Sequence, residues 1–551
     1  MSTAILTPQT LWQSFDDSLP LKEVKLNVLS MPSANLTYCY FSGRQTSLSR
    51  VRIYGVFAEQ KGKSKGSVLI LPDVGDEIDV DLIIHFSSLG YDVLSVDFRG
   101  EAEGASEHTQ YPQDISYANY FTSGSTFLHV ENTAKETCWY EWTAVARYAV
   151  SFLKSKKPDG RIGVVGIKHG ANVLWQLAAT DDRVDAAVTL FGAGWLAYRG
   201  LNKYDDLNPE MNDERYRFIA GIEAQSYAPY VKCPVLYLGT TNNDEFDFDR
   251  AADTLLRVEN QSECRLIYST ESKNALESSA LYDVDEFISH FVGGCDEKSR
   301  FPETPEIEIG VDGDEIIYKI SGVKNDAESI FVNASSNDLK SCDRVWYNVY
   351  PFEKENGEKV FRRRVYGKSD FEIAFVTVKY KSGITLSSRP AYKKTGIVSN
   401  AKIPNILLSS SHTVTAFLVK NADSDLLGNV FSKNGLYSYC DGPLGIKGVK
   451  TEYALLSYAV RKIADTLSGD SFIKFDAYSK TVDTLFLSFA AGGDDYSAKI
   501  QLTGGEYWQS IKINLGDLKN AEGRSIKDYS LVTAVAFNTL GAFMINNVII
   551  L

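Results

Sequence analysis

The sequence predicts an α/β domain with a doubly wound parallel sheet, followed by two all-β sandwich domains. Between residues 51 and 291, short apolar runs alternate with amphipathic stretches at helical spacing, which is the pattern of a parallel sheet covered by helices on both faces. Near residue 300 the composition changes to a charged stretch with Pro302 and Pro305, which indicates a linker. Beyond the linker, short runs of alternating polar and apolar residues predict strands only.

Length and charge restrict the class of protein before any motif is considered. The chain has 551 residues, of which 44% are hydrophobic, and this exceeds what one core usually organises. Its net charge of −14 argues against nucleic acid or an anionic membrane as the main partner, because both would repel it. The N-terminus shows no signal-peptide pattern and no run reaches transmembrane length. We therefore expect a cytoplasmic protein, or a secreted one if a leader has been removed.

The sequence predicts no disulfide framework, metal site or cofactor. Its seven cysteines are scattered and include no Cys-x-x-Cys pair. Its glycines form neither a phosphate-binding loop nor a dinucleotide-binding fingerprint. Asp441, Asp494 and Asp495 could contribute to a calcium site in the last domain, but solvated loop acids are the simpler interpretation.

Within the first domain, the predicted elements follow one another at the spacing of βαβ units. The segment 192–230, between two predicted strands, is too long for an ordinary connection and is predicted to form a lid over the strand ends. The predicted strands are 51–57, 67–71, 91–96, 184–191, 234–238 and 265–268, and the predicted helices are 78–89, 131–154, 248–258 and 279–291.

The stretch 161–179 is the central motif of this domain. A buried strand ends at Gly166 and apolar residues return at helical spacing after Gly170, so the chain turns sharply from a strand into a helix. In a Gly-x-Ser-x-Gly nucleophile elbow, two glycines allow such a turn to raise one side chain above the sheet edge. The raised residue here is Lys168. A plain strand-to-helix turn with two glycines is the alternative interpretation of this stretch alone.

With this turn and three further loops, residues 21–294 resemble the α/β-hydrolase fold, and more narrowly the acetyl xylan esterase, dienelactone hydrolase and prolyl-oligopeptidase-like group. The three loops are 71–75, 97–100 and 239–246. The resemblance implies a nucleophile on the elbow, an acid after a late strand and a histidine in the last loop. It places the nucleophile at Lys168, the acid at Asp244, the histidine at Ala275, and the oxyanion loop at Asp73, Val74 and His169.

Two of the three triad positions depart from the family pattern. Lys168 replaces the serine, and Ala275 replaces the histidine. A desolvated lysine can act as a nucleophile or a base, but an acylated lysine is a stable amide that water does not readily release. Other hydroxyls are present, but no histidine is placed by a motif to serve them. They belong to Ser87, Ser106 and Ser123.

A lysine at the elbow and an acid without its histidine suggest a direct contact. Removal of the imidazole leaves space above the elbow, and a carboxylate at Asp244 would be poorly compensated if the lid excludes water. We therefore predict an ion pair between Lys168 and Asp244. Asp244 also fits a structural role, as a turn residue or as the N-cap of the following helix.

The predicted domain boundaries are 1–296, 303–397 and 401–551. The second domain is expected to be an immunoglobulin-like or fibronectin-like sandwich. The third resembles jelly-roll carbohydrate-binding modules in its closing segments, 508–513 and 543–548. Aromatic side chains that could stack on a sugar there, or equally fill the core, are Tyr437, Tyr439, Tyr478, Tyr496, Tyr507 and Trp508.

These observations leave three functions open. The leading hypothesis is a catalytically degenerate, esterase-like protein that acts as a binding or scaffold protein, with saccharides as candidate ligands. The second is an active carboxylic-ester hydrolase, of the kind that acts on acetylated sugars, with a rearranged site. The third is a structural or assembly protein whose sandwiches contact other chains. The expected partners are therefore carbohydrate or protein.

Overall fold

The structure of the protein is a computed structural model. It describes residues 4–101, 106–205, 209–270, 272–277, 279–294, 301–344, 346–349, 352–355, 358–401, 406–411, 418–420, 430–431, 438–451 and 454–551.

The first domain is built on one nine-stranded sheet, in the order β1-β2-β3-β5-β4-β6-β7-β8-β9. The first four strands in this order pair antiparallel, and the remaining pairs are parallel. The strands are β1 Val24–Ser30, β2 Ala34–Gln45, β3 Arg50–Gln60, β4 Ser67–Leu71, β5 Asp92–Val96, β6 Ile162–Ile167, β7 Ala186–Leu190, β8 Val235–Thr240 and β9 Cys264–Ser269.

Helices cover both faces of this sheet. Alternate residues of β4 enter different cores, because successive side chains of a strand point to opposite faces. Helices α3 and α4 pack in the first core, and α2 and α8 pack in the second. The helices are α1 Pro8–Trp12, α2 Val80–Ser88, α3 Cys138–Lys156, α4 His169–Thr180, α5 Asp213–Gly221, α6 Ala224–Tyr227, α7 Phe248–Leu255 and α8 Ser279–Phe291.

The predicted elements from residue 51 to residue 291 are present, with shifted ends. Helix α3 starts at Cys138 rather than at 131, because the Thr137 side chain accepts the N–H of Tyr140 and caps the helix there. Strands β1 and β2 were not predicted. Every residue of β1 is exposed, so this strand lacks the polar and apolar alternation by which a half-buried strand is recognised.

The second domain consists of two antiparallel sheets, as the sequence predicts. One sheet has the order β10-β11-β15-β14, and the other has the order β13-β12-β16-β17 with β18 also paired to β16. Gly383, at φ +94°, closes the turn between β16 and β17. The strands are β10 Glu306–Asp312, β11 Glu315–Ser321, β12 Ala327–Ser336, β13 Tyr347–Val349, β14 Phe352–Glu355, β15 Glu358–Arg364, β16 Gly367–Tyr380, β17 Thr385–Ser387 and β18 Ala391–Ser399.

The third domain again consists of two antiparallel sheets. Their orders are β21-β22-β29-β24-β27, with β19 also paired to β29, and β20-β23-β28-β25-β26. The strands are β19 Ile406–Ser409, β20 Leu418–Lys420, β21 Ser438–Asp441, β22 Lys447–Thr451, β23 Ala454–Ser457, β24 Phe472–Tyr478, β25 Asp483–Ala491, β26 Asp494–Leu502, β27 Gln509–Asn514, β28 Val532–Asn538 and β29 Phe543–Ile550.

The two sandwiches differ in how they join the first domain. Side chains of the second domain, among them Trp346, Phe375 and Val376, belong to the same two cores as the nine-stranded sheet. The third domain has a core of its own, which contains buried residues between Leu408 and Ile550. Val430 and Phe431 are exceptions, because they join the second core of the first domain. No helix among the described residues is long and apolar enough to cross a membrane.

Candidate functional site

The turn after β6 has the backbone of a nucleophile elbow. Lys168 lies at φ +50° and ψ −110°, a conformation that a residue with a Cβ atom rarely adopts. The flanking glycines are required by close approach, because a Cβ on Gly166 would lie 2.6 Å from the Gly170 carbonyl oxygen and one on Gly170 would lie 2.2 Å from that of Leu71. The predicted elbow geometry is therefore present, with a lysine as the raised residue.

A carboxylate accepts two backbone N–H groups of the loop that the resemblance assigns to the oxyanion. In such sites the oxyanion is bound by the N–H of the residue after the nucleophile and by an N–H from the loop after a neighbouring strand. Here Asp73 Oδ1 accepts the N–H of Val74 at 2.9 Å and that of His169 at 3.3 Å. Asp73 is 9% exposed. Its carboxylate thus occupies both N–H donors of the predicted oxyanion loop.

The predicted ion pair between Lys168 and Asp244 is not formed. The Lys168 ammonium lies 3.5 Å from Asp73 Oδ2, and no ion pair between the described residues joins Lys168 to Asp244. Asp244 is exposed. Asp73 lies close to Lys168 because it follows β4, which is the strand next to β6 in the sheet. The Asp73 carboxylate therefore compensates the charge of the lysine.

His169 is the third member of this cluster and is almost fully buried. Its Nδ1–H donates to Asp73 Oδ1 at 2.7 Å. The ring lies among the aromatic side chains of Phe127, Trp139 and Phe246, at centroid distances of 5.2–6.1 Å. The ring points back to the loop after β4, because its Nδ1–H meets the Asp73 carboxylate there.

Two further charged side chains, Glu245 and Arg199, lie on the outer side of the cluster. His169 Nε2, which is buried and has no hydrogen-bond partner among the described residues, lies 3.6 Å from Glu245 Oε1. The same oxygen lies 3.3 Å from Arg199 Nη1, a side chain that is half exposed and belongs to the segment predicted to be a lid. One residue of that segment therefore contacts the elbow site.

The environment of Asp73 favours its ionised form. Burial raises the pKa of Asp73. The hydrogen bond from His169, the charge of His169 and the Lys168 ammonium lower the pKa by more than burial raises it, so the pKa of Asp73 lies below its usual value. At Asp76 burial prevails, and Asp73 adds repulsion, so the pKa of Asp76 is raised despite the attraction of Lys168. The site therefore holds one firmly ionised carboxylate against the elbow.

The loop after β8, which carries Asp244, has a structural role in place of the expected acid function. Asn243 Oδ1 accepts the N–H groups of Glu245 and Phe246, which forms the turn, and Asp247 rather than Asp244 caps α7. Asn242 Nδ2 donates to the backbone carbonyl of Arg344 in the second domain at 2.6 Å. The loop is thus fixed by neighbours on both sides.

A buried ion pair between domains lies just beyond this loop. The Arg344 guanidinium contacts both carboxylate oxygens of Asp249, at 2.5 and 2.7 Å, and the side chains are 0% and 1% exposed. Two further donors of Arg344 reach the carbonyls of Asp338 and Leu339. A two-point contact with additional hydrogen bonds is the arrangement in which buried charges are tolerated.

The loop at the expected histidine position is covered by the third domain. Ala275 is buried, and its carbonyl accepts the Ser272 hydroxyl at 2.5 Å. The N–H of Leu276 donates to the Val430 carbonyl at 2.6 Å, and Leu276 forms a β-bridge with Phe431. This loop is therefore paired to another segment of backbone and not left open as an active-site loop.

The alternative hydroxyls do not meet a histidine in the structure. Ser87 is buried beside Gln60, Ser123 donates to the Tyr120 carbonyl, and Ser106 is exposed. His290, at the end of α8, contacts the ring of Phe291. None of these contacts brings a hydroxyl to an imidazole.

The contacts that decide this site were not predicted from the sequence. Asp73 was assigned to the oxyanion loop but not as the partner of Lys168, and its place directly after a strand next to β6 was the available signal. Arg344 lies 95 residues from Asp249 and carries no local pattern. Val430 likewise has no motif that connects it to Leu276.

The aromatic candidates of the third domain differ widely in exposure. Tyr507 is 52% exposed, whereas Tyr496 is 9% exposed and packs into the core. The binding role expected for Tyr496 is therefore contradicted, since its ring offers little surface to a sugar. Trp508 is half buried and its indole N–H donates to the Pro443 carbonyl. Tyr437 lies outside the described residues, and Tyr439 is described only as a backbone member of β21.

Metal and thiol chemistry receive no support from the described part of the chain. Within it, no group of three or more His, Cys, Asp or Glu side chains converges on a position for a metal ion. Asp494 and Asp495 lie in β26 and are exposed. The six described cysteines are free.

The strand order and the elbow after β6 define the first domain as an α/β-hydrolase fold. Solved structures similar to the chain include an acetyl xylan esterase from Paenibacillus sp. R4, with 16% identity over 52% of this chain and 92% of that one and a TM-score of 0.38. Acetyl xylan esterase 1 from Thermoanaerobacterium sp. JW/SL YS485 shows 14% identity over 53% and 96%, with a TM-score of 0.37. The acylaminoacyl peptidase of Pyrococcus horikoshii shows 13% identity over 50% and 51%, with a TM-score of 0.35. No family model and no curated protein sequence matches the chain.

Proposed function

We propose that this chain is a catalytically inactive protein of the α/β-hydrolase fold, which acts by binding or as a scaffold. The observation that carries the proposal is the Asp73 carboxylate on the N–H groups of Val74 and His169. An ester substrate would have to displace this ionised group to use the two donors. Because the pKa of Asp73 is lowered, neutral pH does not remove its charge.

The other positions of the site support the same conclusion. Lys168 offers no hydroxyl, and attack by its amine would leave a stable amide. Ala275 supplies no base, and its loop is paired to Val430 and Phe431. A triad acts as a unit, so the loss of two members removes nearly all of its contribution to the rate.

The test is the hydrolysis of p-nitrophenyl acetate by the purified full-length protein. We expect a rate equal to that of buffer containing the double variant Lys168→Ala with His169→Gln, which lacks both candidate active-site groups and keeps the surface lysines. A wild-type rate clearly above this control would contradict the proposal, and so would a rate that disappears on mutation of a serine.

An active hydrolase with a rearranged site is the second candidate, and one observation favours it. His169 and Asp73 form an imidazole–carboxylate pair like the one that orients a catalytic base, and Nε2 has no hydrogen-bond partner among the described residues. In this alternative, His169→Gln abolishes ester hydrolysis and Lys168→Ala does not. If neither variant changes the rate, the second candidate is excluded.

For the binding function we propose a saccharide ligand on the third domain. Tyr507 is half exposed, its hydroxyl lies 2.5 Å from Thr503 Oγ1, and it precedes Trp508. An exposed aromatic face beside hydroxyl and carboxylate groups suits stacking on a pyranose ring. Glu506, which accepts the Tyr478 hydroxyl at 3.2 Å, supplies the carboxylate.

Affinity electrophoresis in gels that contain soluble polysaccharides tests this ligand. We expect wild-type protein to be retarded and Tyr507→Ala to lose the retardation. Tyr216→Ala is the matched control, because Tyr216 is an equally exposed tyrosine, at 49%, in the first domain. Unchanged mobility across a broad panel of glycans would favour the assembly alternative, in which the sandwiches contact other protein chains.

A further inference from the structure

A cavity of about 330 Å³ opens at the antiparallel end of the nine-stranded sheet. The strands that form it, β2 and β3, are separated from the elbow strand β6 by β5 and β4. Its volume is at the lower end of the range for small-molecule sites. It is lined by Lys22, Val24, Tyr40, Phe41, Ser42, Arg50 and Arg52.

Three of the lining side chains are cations, and the described part of the chain provides none of them with a carboxylate. Lys22, Arg50 and Arg52 take part in no ion pair between described residues. Glu23 pairs instead with Lys156, at 2.5 Å. Glu107 accepts the hydroxyl of the lining residue Tyr40 at 2.7 Å but forms no ion pair with any of the three cations. The chain as a whole has a net charge of −14, so a group of three cations without an ion pair is locally opposite in sign to the rest of the protein.

Neutral contacts fix the positions of these cations. Arg50 donates through Nε and Nη2 to the carbonyl of Gly43, at 3.1 and 2.8 Å, and through Nη1 to the carbonyl of Pro20, at 2.8 Å. The Arg52 guanidinium lies 4.8 Å from the ring centroid of the buried Tyr40. Carbonyl and aromatic partners orient a guanidinium without neutralising it.

The backbone at Lys22 is also unusual. Lys22 lies at φ +46°, a region that residues other than glycine rarely adopt. The hydrogen bond from the Ser42 N–H to the Leu21 carbonyl, at 2.5 Å, holds this segment against β2. The strained turn therefore keeps a third cation at the rim of the cavity.

We propose that this cavity is a binding site for a small molecule that carries a phosphate or sulfate group. Adjacent cations repel one another, and an oxyanion relieves this repulsion while it accepts charge-assisted hydrogen bonds from the guanidinium groups. The site is independent of the elbow and of the saccharide surface on the third domain. It gives this protein a binding activity of a different chemical class.

Isothermal titration calorimetry of the full-length protein at constant ionic strength tests the site. The probes are glucose 6-phosphate, inorganic phosphate and sodium sulfate, with glucose as the neutral control. We expect glucose 6-phosphate to bind and glucose not to bind. Arg52→Ala should weaken binding at least tenfold, and Arg52→Lys less, because lysine keeps the charge but not the guanidinium geometry.

Lys25→Ala is the matched control, because Lys25 is an exposed cation on β1 that does not line the cavity. Equal affinity for inorganic phosphate and glucose 6-phosphate would identify a free-anion site, and tighter binding of the ester would identify a phosphorylated ligand. Either result supports the proposal if Arg52→Ala weakens binding at least tenfold and Lys25→Ala does not. Absence of binding by all three anions, or an equal effect of the two variants, would overturn it.

Discussion

The two sides of the expected catalytic site are closed in different ways. On the elbow side, the first domain closes the site by itself, because Asp73 occupies the donor pair and compensates Lys168. On the side of the acid and histidine loops, the other domains close it. Arg344 of the second domain pairs with Asp249, and Val430 and Phe431 pair with the loop at Ala275.

The difference shows two ways in which the loops at one edge of a sheet can be fixed. The elbow contact is partly open to solvent, with the Lys168 side chain 22% exposed. The contact of Arg344 with Asp249 is fully buried. Since burial sets how much an uncompensated charge costs, we expect mutations on the interdomain side to have the larger effects on stability.

The largest effect is expected from Asp249→Ala. It leaves the Arg344 guanidinium buried without its counter-charge, which should lower the free energy of unfolding by about 3–5 kcal/mol. The double change Asp249→Ala with Arg344→Met should recover most of the loss. The measurement is urea denaturation followed by fluorescence. Asp182→Ala, which breaks the exposed pair with Lys232, is the control. Equal losses for the single and double variants would show that the charge is not the cause.

A second prediction concerns Glu223, a buried carboxylate on the elbow side that lacks a counter-charge. Its Oε1 accepts the N–H of Ala197, Oε2 has no partner among the described residues, and burial raises the pKa of Glu223 to about 7. A raised pKa means that the folded state holds the proton more tightly. The stability associated with Glu223 is therefore fully present below pH 4.5, the usual pKa that the carboxyl has in the unfolded chain. It falls as the pH rises through the folded pKa of about 7.

Glu223→Gln should remove this decline, which amounts to about 3 kcal/mol. The free energies of unfolding of variant and wild type are measured by urea denaturation from pH 4 to pH 8. Their difference should shift in favour of the variant as the pH rises. A difference that stays constant over this range would show that Glu223 does not titrate there.

The third prediction is that Asp73→Ala costs about 2 kcal/mol at neutral pH, because it leaves two N–H groups and the His169 donor without their charged acceptor. Because the pKa of Asp73 is lowered, this contribution is present above the unfolded pKa, about 4, and disappears as the pH falls through the folded pKa.

Added acetate should raise the melting temperature of Asp73→Ala more than that of wild type, since it can enter the vacated position. Chloride at the same ionic strength is the control for salt. Identical shifts in the two proteins would argue against an oxyanion site beneath Asp73.

The smallest effect is expected from Lys168→Ser. The lost ion pair is partly exposed, so the change in unfolding free energy should be about 1 kcal/mol or less. No ester hydrolysis should appear, because Asp73 still holds the donor pair and Ala275 supplies no base. A burst of p-nitrophenol from this variant would mean that another group serves as the base.

A feature of this site could be predicted from the sequence where the residues that determine it lie close together in the chain. The elbow follows from local constraints, because Gly166 and Gly170 allow the close approach of neighbouring backbone. Lys168 and Ala275, at the positions that the resemblance assigns to the serine and the histidine, were likewise read directly from the sequence. The partner of Lys168 was predicted wrongly, since Asp244 and Asp73 both belong to loops after parallel strands and the sequence does not rank their distances.

The alternation of strands and helices, the two sandwiches and the residues on the elbow all follow from the amino-acid sequence alone. These features depend on hydrophobic periodicity and on turn residues, which act over a few positions. What Asp73, Arg344 and Val430 contact depends instead on how the chain packs in three dimensions. Their partners His169, Asp249 and Leu276 lie about 95 residues away or more. These contacts form because β4 lies beside β6 and because the sandwiches pack on the first domain.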